Sequence, residues 1–257
     1  MESLNLGVDC RRWFERWEAM QNCYVPQRLY RFDLMLELAD LPQDREVRIL
    51  DLGCGPGSLA QRALQRWPKA RAVAVDSDPV LFELGRWMID ETDGRMQFIR
   101  ADIREDGWWV AYDGVFDLVL SATALHWLSQ VHLSETYERI YRILKPGGAF
   151  MNSDHFASDD PDLQARQRKE LEVKQREAFR REKADDWNGF FAKLAAESTR
   201  FALMALRNLD EIWEGTEEGQ PRQFHLEALR RAGFERIEFH WEELGDAVLG
   251  ARKPVEL

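Results

Sequence analysis

The chain has 257 residues, 45% of them hydrophobic and 32% charged, enough for one large α/β domain or two small ones. A formal net charge of -11 argues against sequence-independent nucleic-acid binding, which rests on neutralising phosphates. With no basic-then-apolar start, no apolar stretch of membrane-spanning length, and three cysteines (Cys10, Cys23, Cys54) that form no C-x-x-C pair, a cytoplasmic, reduced protein is expected, with no metal, no nucleic acid and no membrane partner.

Residues 1–44 read as an N-terminal helical cover. Trp13, Phe14, Trp17 and Met20 fall at helical spacing, Pro26 interrupts, and Leu29, Phe32, Leu34, Met35, Leu36 and Leu38 resume the pattern. Tyr24, Arg28 and Arg31 place polar groups beside this aromatic-rich stripe, which packing alone does not explain. A strand over 47–52 then runs into the turn Gly53-Cys54-Gly55-Pro56-Gly57. A helix opens at Ser58, with Leu59, Ala60, Ala63, Leu64 and Trp67 on its apolar face. Further strands are expected at 71–75, 96–100, 116–120 and 149–152. The helices between them are expected at 79–89, capped by Asp78 or Ser77 with Pro79 in its first position, and at 133–144. Strands and helices alternating at this rhythm predict a parallel sheet covered on both faces.

The rhythm breaks at 157, and 157–220 reads as a helical lid insertion. Its first part has a thin apolar stripe of Leu163, Leu171 and Phe179, and 166–183 holds eight basic and four acidic residues, a local excess of +4. Two readings stand side by side: a solvated helix held by i,i+4 pairs, or a lid whose basic face attracts an anionic substrate. Helical pieces continue through Trp187, Phe190, Phe191, Leu194, Phe201, Leu206 and Ile212. A helix over 224–232, closed by Gly233, and a hairpin of strands at 234–243 and 247–252 return to the core, which thus comprises 45–156 and 221–257.

The glycine turn carries the chemistry. Glycine admits positive φ and lets backbone approach a ligand closely, although a βα turn could also need it only for packing. A dinucleotide fingerprint would call for glycine or alanine at position 58, where Ser58 stands. Asp51, at the end of the strand, would repel a pyrophosphate but suits a ligand bearing an ammonium group. Asp76 lies 25 residues further on, at the tip of the next strand, where a carboxylate can accept two hydroxyl hydrogen bonds from a ribose. Asp102 follows the third strand and could take an adenine amino group. Each aspartate alone says little; three at successive strand ends beside a triple-glycine turn describe one site.

These pieces, together with Ala74-Val75-Asp76, Ala101-Asp102, the run from Phe116 to Ser121 and Leu144-Lys145-Pro146-Gly147-Gly148, resemble a class I S-adenosylmethionine-dependent methyltransferase of small-molecule type over roughly 45–155 and 222–253. The resemblance implies a Rossmann-like, seven-stranded, mostly parallel sheet with an antiparallel C-terminal strand, and S-adenosylmethionine as cofactor, leaving as S-adenosylhomocysteine. It implies that Gly53, Gly55 and Gly57 line the methionine part, near Asp51. Asp76, with Ser77 beside it, holds the ribose; Asp102 and Ile103 flank the adenine; Ser121 sits near the methyl group. Arg28 or Arg31 could reach the cofactor carboxylate or an acidic acceptor. Residues 121–127 face the acceptor. There His126 could be a general base, a positioning residue or a wall residue, and Trp127 packs beneath the cofactor, with Tyr24, His126 and Trp127 expected to border the acceptor. The expected activity is methyl transfer to oxygen, carboxylate or hydroxyl, of a small organic acceptor that could be anionic, in a monomer or homodimer. N- or C-methylation is the alternative. A nicotinamide-dependent oxidoreductase and a cofactor-binding scaffold without transfer activity are the rivals.

Overall fold

The computed structural model describes residues 9–198, 201 and 214–255, the side chain of Asp90 aside. In chain order, α1 (Cys10–Tyr24) and α2 (Arg28–Leu38) precede β1 (Arg48–Leu52), α3 (Ser58–Arg66), β2 (Arg71–Asp76), α4 (Pro79–Gly85), α5 (Met88–Glu91) and β3 (Met96–Arg100). Then come β4 (Phe116–Ala122), α6 (Gln130–Ile143), β5 (Leu144–His155), α7 (Pro161–Glu182), α8 (Trp187–Glu197), α9 (Arg222–Ala232), β6 (Glu235–Glu243) and β7 (Asp246–Arg252). One seven-stranded sheet has the order β3-β2-β1-β4-β5-β7-β6, and β7 runs antiparallel to both of its neighbours. No helix among the described residues is long and apolar enough to cross a membrane.

The central strands are apolar at nearly every position because both faces are covered. Side chains alternate between faces. Ile49, Ala72, Ala74, Leu118 and Leu120 therefore meet α2 and α3 through Phe32, Met35, Leu59 and Ala63. On the other face Leu50, Leu52, Val75, Val119 and Phe150 meet α6 and α9 through Leu133, Tyr137, Ile140 and Leu229. A third cluster joins Trp13, Trp17 and Met20 of α1 to Val80, Leu81 and Leu84 of α4 and to Phe190 and Leu194 of α8. This cluster fastens the α7–α8 segment to the sheet, and truncating a buried aromatic of this kind costs about 3–5 kcal/mol.

Three elements differ from expectation. The helix expected over 79–89 is two pieces, because the chain tightens at Arg86, whose carbonyl accepts from Ile89 N at 3.1 Å. The next helix begins at Gln130 rather than 133, because Ser129 is its N-cap and accepts from His132 N at 3.3 Å. Strand β5 runs on past Asn152 through Ser153, Asp154 and His155. These polar residues look like a loop in sequence, yet Asn152, Ser153 and Asp154 are almost fully buried as they pair with Leu249, Val248 and Ala247. Leu206 and Ile212 lie outside the described residues.

Candidate functional site

Strand order reverses between β1 and β4, and a ligand crevice is expected beyond the carboxyl ends of the strands at that point. A cavity of about 630 Å³ opens there, of a size that takes a small ligand. Gly53 adopts φ +66°, and a Cβ on it would sit 2.3 Å from Ala124 Cβ, so the loop after β4 presses directly onto the turn. Gly53 N and Cys54 N both donate to Val75 O, at 2.9 and 3.1 Å, fixing the turn against the end of β2.

Two carboxylates sit under this turn. Asp51 accepts from Ala60 N at 2.9 Å, and burial, with the nearby Asp76 charge, pushes its carboxyl up to about 7. Asp76 accepts from Gly55 N at 2.7 Å and Asp78 N at 2.8 Å, while burial, helped by the charge of Asp78, pushes it up to about 6. Each Asp76 oxygen keeps acceptor capacity for a hydroxyl. A cavity wall holding two carboxylates this costly to ionise favours a ligand that brings positive charge and hydroxyl donors, and S-adenosylmethionine has both.

Of the other expected cofactor residues, Ser77, Asp102, Ile103 and Arg28 also line the cavity, whereas Gly57 and Ser121 do not. Gly57 is the N-cap of α3 at φ +94°, and a Cβ there would come 2.9 Å from the Phe98 ring; its glycine serves packing, as a βα turn can require. Ser121 is fully buried and donates to Leu52 O at 2.8 Å, bracing β1 against β4, and the wall beside the turn is formed by Ala122, Thr123 and Ala124 instead. Thr123 holds φ +49°, strained for a β-branched residue, and its N donates to Ser153 O at 2.8 Å. The Asp102 carboxylate is occupied by the Arg104 guanidinium, with Nε 3.0 Å from each oxygen. Arg28 is paired with Glu18 at 2.9 and 3.1 Å, and Arg31 is buried beneath Trp241 and bonded to Asp246, away from the cavity.

At the acceptor end, Trp127 lines the cavity and its carbonyl takes Glu214 N and Gly215 N at 2.9 and 2.7 Å. Tyr24 lines it too, but its hydroxyl accepts from Trp187 N at 3.0 Å, its carbonyl accepts from Gln175 Nε2 at 2.8 Å, and its ring packs on Phe179. It fastens the lid. His126 is almost fully buried in the turn Leu125–Trp127. Asp154, at the end of β5, accepts from His126 Nδ1 at 2.6 Å and from His126 N at 3.1 Å. Burial pushes the His126 ring below its ordinary value, against the pull of Asp154, while the two neighbouring histidines outweigh burial at Asp154 and hold that carboxyl low. The ring is therefore neutral, its Nδ1–H is directed at Asp154, and Nε2 is left as an acceptor.

Sequence reasoning missed His155. It lines the cavity 4.8 Å from the His126 ring, edge-on, and its Nδ1 is bonded to Asp246. The only sequence signal was Asp154-His155 just past the last expected strand residue. The basic-face reading of the lid is contradicted. Of the basic residues in 166–183, Arg168 lines the cavity, and it is paired with Glu172, Glu217 and Glu218 at 3.4, 3.6 and 2.9 Å. Helical periodicity turns Lys169, Arg176, Arg180 and Arg181 to solvent instead.

A family model described as a methyltransferase domain matches residues 49–148. Malonyl-[acyl-carrier protein] O-methyltransferase of Priestia megaterium is 32% identical over 110 residues, 43% of this chain and 37% of that protein. Trans-aconitate 2-methyltransferase of Streptomyces avermitilis is 36% identical over 98 residues, 37% of this chain and 35% of that protein. The chain thus spans little more than a third of the length of these relatives. The structure of human N-acetylserotonin methyltransferase with bound S-adenosylmethionine shares the fold, at TM-score 0.53 and 19% identity over 97% of this chain and 61% of that one. Residues 49–148 thus match a methyltransferase domain, and the chain shares the fold of a methyltransferase structure with bound S-adenosylmethionine.

Proposed function

We propose that this protein transfers a methyl group from S-adenosylmethionine to an oxygen of a small organic acceptor, and that the oxygen belongs to a carboxylate. Bound here, S-adenosylmethionine supplies an electrophilic methyl group on a sulfonium. Gly53 and Gly55 allow close backbone approach to the methionine part, Asp51 offers a carboxylate to the ammonium group, and Asp76, beside Ser77, takes the ribose hydroxyls. Ile103 and the Asp102–Arg104 pair border the adenine end.

The observation that carries the acceptor assignment is His155, on the wall beyond Thr123 with Nδ1 tied to buried Asp246 and its other ring N–H left to donate, beside a neutral His126. A carboxylate is ionised at neutral pH and needs no base; what it needs is alignment with the methyl group and partners for its oxygens. The malonyl group and trans-aconitate named for the two relatives both carry carboxyl groups, which supports an acidic acceptor. Incubation with methyl-labelled S-adenosylmethionine and a series of malonyl thioesters, trans-aconitate and matched hydroxy compounds should place label in base-labile methyl esters. Label found only in base-stable ethers or amines would refute the assignment, and tight cofactor binding with no transfer would favour a scaffold.

A second reading has its own observation. Neutral His126, oriented by Asp154 with Nε2 free to accept, has the form of a general base for a hydroxyl acceptor. Under that reading His126→Ala lowers kcat by about 10²–10⁴-fold. Under the carboxylate reading most activity survives the substitution.

A further inference from the structure

Beneath the histidine pair lies a buried charge cluster that contains more carboxylates than fixed cations. Asp154 and Asp246 are each about 1% exposed, and among the described residues the one guanidinium bonded to the cluster is that of Arg31, on Asp246. Leaving a second buried carboxylate without positive charge is costly, so the cluster calls for one more cation, and a histidine is the group that can supply it. His126 is the poorer candidate, because its side chain is only 5% exposed and burial holds its ring neutral. The His155 side chain is 21% exposed, and the bond and charge of Asp246 outweigh burial and raise its ring above the ordinary value. Its backbone N also donates to Asp154 at 3.0 Å, which fixes the residue at the strand end while Asp246 holds the ring. With Nδ1 held by Asp246, the other ring N–H has no protein partner among the described residues, and His155 lines the same cavity as Thr123 and His126.

We infer that His155 anchors the acceptor by donating an Nε2–H hydrogen bond to an anionic oxygen of the substrate that is not the oxygen being methylated. The inference rests on the carboxylate reading above. A donor on the attacking oxygen would withdraw the lone pair that must form the new bond, whereas a donor on the second oxygen, or on a second acid group, fixes the acceptor without that loss. The bond is charge-assisted and so among the stronger ones. His126, neutral and edge-on at 4.8 Å, fills the adjoining wall without competing for the negative charge. Arg168, Glu172, Glu217 and Glu218 share the cavity, and the pairing of Arg168 with the three glutamates leaves the histidine as the stronger attraction for an anion.

The test uses the whole protein saturated with S-adenosylhomocysteine, tricarballylate as the anionic probe, its uncharged triamide as control, and calorimetry at pH 7. The wild type should bind tricarballylate at least tenfold more tightly than the triamide. His155→Gln, which keeps a donor but no charge, should abolish that preference by weakening tricarballylate on the order of tenfold or more while S-adenosylhomocysteine binds within twofold of the wild type. In the wild type the preference should also fade as pH rises above the raised value of the His155 ring, the other facing charged or titratable groups among the described residues being Asp246, Asp154, Arg31, neutral His126 and, in the same cavity, Arg168 with Glu172, Glu217 and Glu218. Nitrogen-15 histidine spectra of the wild type provide a readout free of substitution: the His155 Nε2 signal should move on adding tricarballylate. A wild type that does not prefer tricarballylate to its triamide overturns the carboxylate reading, and this inference with it. A preference retained in His155→Gln, or an unmoved His155 signal at saturation, overturns the inference alone.

Discussion

Replacing Asp51 by Asn should stabilise the empty protein and weaken its hold on the cofactor. The Asp51 carboxyl, fully buried at the end of β1, is raised from 3.8 to about 7, chiefly by burial. At 1.36 kcal/mol per pH unit, that rise corresponds to about 4 kcal/mol of folding free energy withheld at neutral pH. The folded protein binds this proton more tightly than the unfolded chain does, so the penalty grows as pH climbs from about 4 to about 7 and then levels off. An amide still offers an oxygen to Ala60 N, bonded now at 2.9 Å, but its NH₂ lacks a partner, at a cost of about 1–3 kcal/mol. The net gain for Asp51→Asn is about 1–3 kcal/mol at pH 7.5, or about 3–8 °C in Tm. Thermal unfolding of both proteins between pH 4.5 and 8 should show a gap that widens with pH and then holds. S-adenosylhomocysteine, whose ammonium group loses a charged partner, should bind the variant about 10–100-fold more weakly. A variant no more stable than the wild type at pH 7.5, or a gap that does not narrow toward pH 4.5, would refute the assignment of Asp51 as a carboxylate held ionised for a ligand.

Three further outcomes follow from the same geometry. Ribose hydroxyls need the ionised form of Asp76, whose carboxyl is raised to about 6, so the Kd for S-adenosylhomocysteine should climb as pH falls through 6, and Asp76→Asn should flatten that limb in a fluorescence or calorimetric titration. Gly53→Ala forces a Cβ to within 2.3 Å of Ala124 Cβ at φ +66° and should cost about 2–4 kcal/mol in denaturant unfolding, with cofactor binding lost to a similar degree. Tyr24→Phe removes the hydroxyl that accepts from Trp187 N at 3.0 Å, a loss of about 1 kcal/mol; hydrogen exchange across α7 and α8 should quicken about fivefold while exchange in β1 and β4 is unchanged.

The proposed donor half of the site was legible in sequence, in that its residues share one cavity, because its requirements are backbone requirements. A turn at positive φ pressed against Ala124 admits only glycine at 53, and a carboxylate must stand where β2 ends if a ribose is to be held there. Those demands leave a fixed spacing, and Asp51, Gly53, Gly55 and Asp76 all line one cavity. Gly57 and Ser121 show where such spacing misleads: both sit at the positions the pattern picks out, yet one spares the Phe98 ring and the other closes a bond between strands. The helices and most strands followed from apolar periodicity. Boundaries failed where a polar residue did structural work, as Ser129 does in capping α6 and as Ser153 and Asp154 do by continuing β5 into the core.

The acceptor half resisted reading because its electrostatics are tertiary. Charge along the chain pointed to 166–183, but a helix distributes its side chains around a full turn, and the one basic residue of that segment in the cavity, Arg168, meets three glutamates. In the proposed arrangement the positive charge offered to an acceptor comes instead from a strand end with no local excess. Register pairs His155 with Asp246, ninety-one residues away, and brings Arg31 of α2 to the same carboxylate. Asp154, one residue before His155, points to His126 and sets that ring neutral. Two adjacent residues of β5 thus give two histidines opposite roles, one an acceptor and one a charged donor, by tying each to its own buried acid. Under the proposed function, an enzyme that must keep a sulfonium and an anion together in a small cavity gains from this arrangement. The anion meets a cation that is already compensated beneath, and the donor's ammonium and ribose keep Asp51 and Asp76 to themselves.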